Sequence, residues 1–316
     1  MPVPDADDVA ALVAESRAAG RADAAARLRE LWRDAYLEAA AAPPVPPPAP
    51  APAPVPSEGS AWWVYCVVAA ADAGLVPPDV AGVAPGSPVE IVTSGHLAAV
   101  VSPVPLAEFN DERLREHLED LAWVEQVARA HEAALEAVMG ATTIVPLRLC
   151  TICLTHERVG ALLDEQASEL ASALDALRGR AEWGLKLFGP PARNAEAAPA
   201  AEQDDGRTYL ERKRRVRADR EEAQREVTER AQRLHDALGA EAVASAVNPP
   251  QRPEAHGRDA EMLLNSAYLV EDARRDRLRA VVDELAGEYE AHGFAVELTG
   301  PWPPYNFVSP ATPALS

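Results

Sequence analysis

The closing segment Leu298-Thr-Gly-Pro-Trp-Pro-Pro-Tyr-Asn-Phe-Val308 constrains this chain more than any other stretch. Three prolines and three aromatics fall within seven residues, 301–307. Pro301, Pro303 and Pro304 fix φ and remove backbone donors, which forbids helix and disfavours a central strand. The segment directly follows Phe294-Ala-Val-Glu-Leu298, whose alternation predicts a last β-strand. A stiff, extended run carrying Trp302, Tyr305 and Phe307 must lay its rings on something, its own body or a partner. Residues 301–316 are therefore read as an aromatic and proline-rich tail that packs back across the protein's own surface.

The 316 residues with 48% hydrophobic content are enough for about two domains with real cores. The 30 basic against 50 acidic residues give a net charge of −20, which argues against nucleic acid and anionic membrane surfaces as partners. The opening Met1-Pro-Val-Pro-Asp-Ala-Asp-Asp8 is acidic where a secretory signal is basic. The longest apolar run, Trp62 to Ala71, is far short of a membrane span. Three cysteines are too few for a disulfide scaffold. These features give the expectation of a cytoplasmic protein.

Residues 1–42 read as an amphipathic helix, with Leu28, Leu31, Trp32, Ala35 and Tyr36 on one face. Residues 43–60 form a proline-rich linker that should extend as a stiff spacer. Trp62-Trp-Val-Tyr-Cys-Val-Val68 fits a buried strand, and 89–93 with 97–101 predict a hairpin around Ser94-Gly95-His96. One long helix is expected from Asp111 to Val138, capped by Asn110 or Asp111 and striped by Leu114, Leu118, Leu121, Ala128, Leu135 and Val138. A strand at 142–149 and a helix through Val159 to Leu177 complete an N-terminal α/β domain, 61–180. Strand 182–188, a charged helix over 206–238, strands at 241–247 and 262–270, a helix on Leu278 to Tyr289 and the last strand follow. That order is βαββαβ, which predicts a ferredoxin-like domain over 181–300. The fold class is α+β, two layered domains with an extra helix at one end and a tail at the other.

Candidate chemistry is sparse. Cys150-Thr-Ile-Cys153 has redox spacing, but thiol activation needs a helix N-terminus, and here the pair ends a strand pattern. Both are read as small packing residues, and His156 alone does not complete a zinc site. His131-Glu132 lacks the second histidine of a zinc-protease helix, since position 135 is Leu; His131 falls on the apolar stripe and reads as a core or interface residue. No phosphate loop, nucleophile elbow or divided carboxylate pair is visible. Arg212-Lys-Arg-Arg215 is followed by Asp219, Glu221 and Glu222, an ion-paired helix face, with an acidic protein partner as the alternative. No catalytic residue, cofactor or metal is expected.

Several stretches, in order, carry a family resemblance: Trp63-Val-Tyr-Cys-Val-Val68, Gly95-His-Leu-Ala-Ala-Val-Val-Ser-Pro-Val-Pro105, Arg129-Ala-His-Glu132, Val145-Pro-Leu-Arg148, Glu182-Trp-Gly-Leu-Lys186, Tyr209-Leu-Glu-Arg-Lys213, Leu264-Asn-Ser-Ala-Tyr-Leu-Val270 and the closing tail. Together they resemble the gas vesicle protein F/L family over about residues 61 to 308. Cys150 and Cys153 depart from it, standing where the family usually has glycine and an aromatic. The resemblance implies two α/β domains, the second ferredoxin-like, and a non-enzymatic role in gas vesicle assembly. It also implies binding of the hydrophobic wall subunit and contact with other vesicle accessory proteins. The interaction candidates it marks are Trp302, Pro303, Pro304, Tyr305, Phe307, Trp183, Tyr209, Arg212 and Lys213. Two other readings stand beside it: a scaffold dimerising through the N-terminal helix, and an enzyme with a diffuse site at the domain junction.

Overall fold

The computed structural model describes residues 59–190, 206–251 and 260–308. The expected N-terminal helix and nearly all of the proline-rich linker lie outside these residues. The described chain is α+β, with two antiparallel sheets.

The first sheet is built on β1 (Ser60–Ala69), flanked by the hairpin β2 (Glu90–Ser94) and β3 (Leu97–Pro105) in the order β2-β3-β1. Gly95 turns this hairpin with φ 57°, a conformation that glycine adopts without cost. The inner strand β1 is buried along almost its whole length because both faces are covered. Trp63, Tyr65 and Cys66 face one core and Trp62, Val64 and Val67 the other, with a bulge between Val64 and Cys66 changing the alternation. The first core is closed by α1 (Leu106–Phe109), α2 (Asp111–His117) and α3 (Leu121–Met139), and the second by α4 (His156–Glu165) and α5 (Ala167–Leu177).

Three expectations need correction here. The single helix over 111–138 is two, because Asp120 accepts bonds from Ala122 and Trp123 and so caps a new start after α2. Leu118 and Leu121, expected on the apolar stripe, are exposed at that break. The strand at 142–149 shrinks to β4 (Val145–Pro146), with β5 (Ile152–Cys153) beside it on β1; proline at 146 limits the ladder. The helix through 159–177 likewise divides at Gln166.

The second sheet contains β6 (Arg180–Phe188), β7 (Ala244–Asn248), β8 (Met262–Glu271) and β9 (Ala295–Trp302), ordered β7-β8-β6-β9. Helices α6 (Gly206–Gly239) and α7 (Arg275–Glu290) connect β6 to β7 and β8 to β9, which gives the βαββαβ order with the first and third strands central. Leu234 and Leu238 of α6, with Leu278, Val282, Leu285 and Tyr289 of α7, cover the face that presents Trp183, Leu185, Leu187 and Tyr268. The last strand runs four residues further than its alternation indicated. It occupies a sheet edge, so the missing donor of Pro301 breaks no inner ladder.

Candidate functional site

The seam between the two sheets is where the sequence's densest signal ends up. On β6, strand alternation turns Trp183, Leu185 and Leu187 into the helical core and leaves Glu182, Gly184 and Lys186 on the other face. Gly184 makes room there: a Cβ would lie 2.8 Å from Thr299 Oγ1 and 3.4 Å from Trp302 Nε1. Gly300 has φ 123°, and its Cβ would meet the carbonyl oxygen of Glu182 at 2.9 Å. Two glycines thus let the end of β9 cross β6 closely, at a bulge between Glu182 and Gly184. The Trp302 indole lies in that crossing and donates to Thr299 Oγ1 at 3.0 Å.

Beyond Trp302 the chain crosses to the first sheet. Pro303 and Pro304 are buried, and Phe307 and Val308 pack on the second core, beside which Leu269 of β8 also lies. Two carboxylates hold the crossing. Tyr305 donates its hydroxyl to Glu132 Oε1 of α3 at 2.6 Å, and the Asn306 amide donates to Glu182 Oε2 of β6 at 2.9 Å. Consecutive tail residues therefore bond to two buried acids, one on helix α3 that covers the first sheet and one on β6 of the second. Tyr305 as a residue is 37% exposed, but its phenol end reaches inward. Burial, with Glu132 alongside, raises its hydroxyl well above the usual value. Burial likewise lifts the Glu132 carboxyl to about 7, partly offset by the Tyr305 bond.

Next to Glu132, His131 is fully buried and its Nδ1 accepts from Trp63 Nε1 at 2.9 Å. Burial lowers its pKa to about 3, so it is a neutral core residue, in keeping with its place on the apolar stripe. Tyr65 completes the layer, its hydroxyl 2.7 Å from Ser102 Oγ and accepting from the Val83 amide.

The cysteines are reduced and burial holds each thiol above its usual value, Cys150 at about 12. None has the lowered pKa of a nucleophile. Cys150 is not on a strand as its pattern indicated; it sits in a turn at φ 58°. His156 packs on Trp62 at an interplanar tilt of 37°, with ring centroids 3.8 Å apart.

Beside the tail, a groove of about 860 Å³ opens between the C-terminal end of α3, the start of β6 and the end of β9. Met139, Ile144, Leu177, Pro301, Trp302 and Pro304 supply apolar walls, and Glu136, Thr142, Arg180, Asp272 and Arg275 supply polar ones. The seam brings together five interaction candidates, Trp302, Pro303, Pro304, Tyr305 and Phe307. Trp183 lies under the opposite face of β6, buried, with the Arg279 guanidinium 5.0 Å from its ring. Lys213 is exposed on α6, away from this site; Tyr209 and Arg212 are on the same helix, and their side chains lie outside the described residues. Sequence reasoning missed Glu132, Glu182 and Asn306. The available signal was an acid set into an otherwise apolar pattern in two of the family-like stretches.

Comparison with known proteins agrees with this architecture. The profile of the family "Gas vesicle synthesis protein GvpL/GvpF" matches residues 61–309. Gas vesicle protein L of Streptomyces sp. (strain CB03234) is 38% identical over 249 residues, 78% of this chain and 91% of that protein. Gas vesicle protein F1 of Halobacterium salinarum is 27% identical over 230 residues, 73% of this chain and 85% of the relative. Among solved structures, gas vesicle protein GvpF from Anabaena sp. PCC7120 shares the fold, with TM-score 0.55 at 18% identity over 79% of this chain and 96% of that one. The matched stretch holds both sheets and the tail that ties them, and the chain belongs to the GvpL/GvpF family of gas vesicle synthesis proteins.

Proposed function

We propose that this protein binds the hydrophobic wall subunit of the gas vesicle and catalyses nothing, acting in assembly or as a minor vesicle component. The observation that carries the reading is family membership across both sheets and the tail. A subunit that lines a gas-filled shell exposes apolar surface that cannot wait free in water. An acidic accessory with net charge −20 stays dispersed while shielding it. We place the contact in the seam groove beside Trp302 and Pro304, whose apolar walls and scattered polar groups suit an amphipathic segment. The reading takes 61–180 and 181–300 as two units joined at this seam, with the rest of the vesicle accessory proteins as further partners inside the cytoplasm. Among the described residues no helix is long and apolar enough to cross a membrane.

Co-expression with the wall subunit tests this. Wild-type protein should retain the subunit in the soluble fraction and co-purify with it. Ala141→Trp, which fills the groove from an exposed position on its wall, should lose that retention while keeping its melting temperature. Equal retention by both proteins would remove the groove from the account.

A further inference from the structure

Two roles meet in the tail. Trp302 and Pro304 are walls of the seam groove, and the next two residues, Tyr305 and Asn306, are the ones held by Glu132 and Glu182. Whatever loosens those bonds therefore moves a wall of the groove. Strand pairing ends with β9 at Trp302. Past it, Tyr305 donates its amide to the Pro303 carbonyl at 2.7 Å and Phe307 to that of Pro304 at 3.2 Å, bonds internal to the tail. What seats the tail on the body is the pair of carboxylates, with the partial burial of Phe307 and Val308.

One of those carboxylates is held in unfavourable surroundings. Glu132 is 6% exposed with the Tyr305 phenol on its Oε1, and among the described residues no cation pairs with it. The titratable groups around it are Tyr305 of the tail, Cys66 and Tyr65 of β1, Glu182 of β6, and His131 and Glu136 of its own helix. Burial keeps Cys66, Tyr65 and His131 neutral near pH 7, and Arg129, one turn earlier on α3, is paired with Glu125. A buried carboxyl with a second acid nearby and no cation favours its protonated form. Lifting the tail uncovers Glu132 to water and removes that preference. The seated tail therefore holds the proton more tightly than the lifted one.

We infer that the tail is a proton-linked strap: protonation of Glu132 seats residues 303–308 across the seam, and ionisation of Glu132 loosens them together with the Trp302 and Pro304 walls of the groove. This rests on the wall-subunit reading for what the groove holds, and adds how that hold is regulated. The sign follows from linkage. With Glu132 at about 7 when seated and near 4.5 when uncovered, the advantage of seating is full below 4.5 and is lost as pH rises through 7. Between pH 6 and pH 8 the seating equilibrium should fall by at most about tenfold.

Hydrogen exchange of the full chain, read by mass spectrometry on the peptide covering 303–308, tests the strap without any partner. After correction for intrinsic exchange, protection of the wild-type tail should fall severalfold from pH 6 to pH 8, while β1 amides stay protected. Glu132→Gln should hold tail protection constant over that range, and Tyr305→Phe should lower it at both pH values. Wild-type protection that does not change with pH, or that falls equally in Glu132→Gln, overturns the inference. The wall subunit is then added at pH 8. A ligand that binds only the seated form raises its population, so tail protection should return to at least its pH 6 level. Binding that leaves the tail unprotected separates strap from groove and also overturns the inference. A subunit that binds at neither pH counts against the proposed function alone, because exchange in the free protein still decides the strap.

Discussion

The hydroxyl of Tyr305 lies 2.6 Å from Oε1 of Glu132, joining residues 173 apart in sequence and on either side of the seam. With Asn306 held by Glu182, it makes the tail a tie between sheets. Tyr305→Phe removes a donor to a buried acid and should lower stability by about 1–3 kcal/mol. Asn306→Ala should cost a similar amount, since Glu182 is 2% exposed and loses partners. Urea unfolding of each variant measures this; no change in midpoint for either would show that the tail is not seated by these bonds.

Deleting residues 303–316 removes the same bonds together with the packing of Phe307 and Val308 on the second core. A half-buried aromatic contributes about 1–2 kcal/mol, so the truncated chain should melt clearly below the full one. Equal melting temperatures would mean that the tail's rings belong to a partner's surface.

Stability should also depend on pH in a way that isolates Glu132. Its folded pKa of about 7 lies above its usual 4.5, so the folded state binds the extra proton and stability falls as pH rises from 4.5 to 7. His131 acts oppositely: held near 3 against 6.5, it loses stability as pH falls from 6.5 toward 3. The two slopes offset each other between 4.5 and 6.5. Glu132→Gln keeps the acceptor for Tyr305 and removes the first slope. The variant should gain on wild type progressively from pH 4.5 to 7, by at most about 3 kcal/mol. Chemical denaturation at pH 5 and pH 8 reads the difference, and an equal gap at both would refute it.

Cys150 is the one positive-φ residue other than glycine among the described residues. A non-glycine side chain there costs about 1 kcal/mol, against which Cys150 sets its partial packing on the first core. Cys150→Gly should therefore be neutral or stabilising by up to about 1 kcal/mol, while Cys150→Val should lose more, because β-branching resists this conformation. Thermal unfolding of the pair checks it; a glycine variant worse than valine would reverse the argument.

Much of the second sheet was legible because its signals are local. β6, β8 and α7 show clean strand or helix periodicity, and the βαββαβ order follows from them. The first sheet was harder. Asp120 reads as one more polar residue on a helix until its side chain is seen capping a second one. The 142–149 run is apolar enough for a strand, yet Pro146 and the turn at Cys150 leave a two-residue bridge. The tail's return to the body followed from its rings and prolines, whereas its anchors did not. Glu132 and Glu182 are ordinary acids in sequence; only the fold buries them and brings Tyr305 and Asn306 against them.

The central claim is that this chain binds the gas vesicle wall subunit by burying apolar surface. Its most direct test is the dissociation constant for the purified wall subunit, kept dispersed in mild detergent, measured at about 0.05 M and about 1 M salt, across which screening lengths shrink severalfold. A burial-driven contact should keep or tighten its affinity at high salt. Residues 59–316 should bind as well as the full chain, because the family match begins at 61. Absence of binding at both salt concentrations by full chain and fragment alike would contradict the account, as would binding that disappears once the charges are screened.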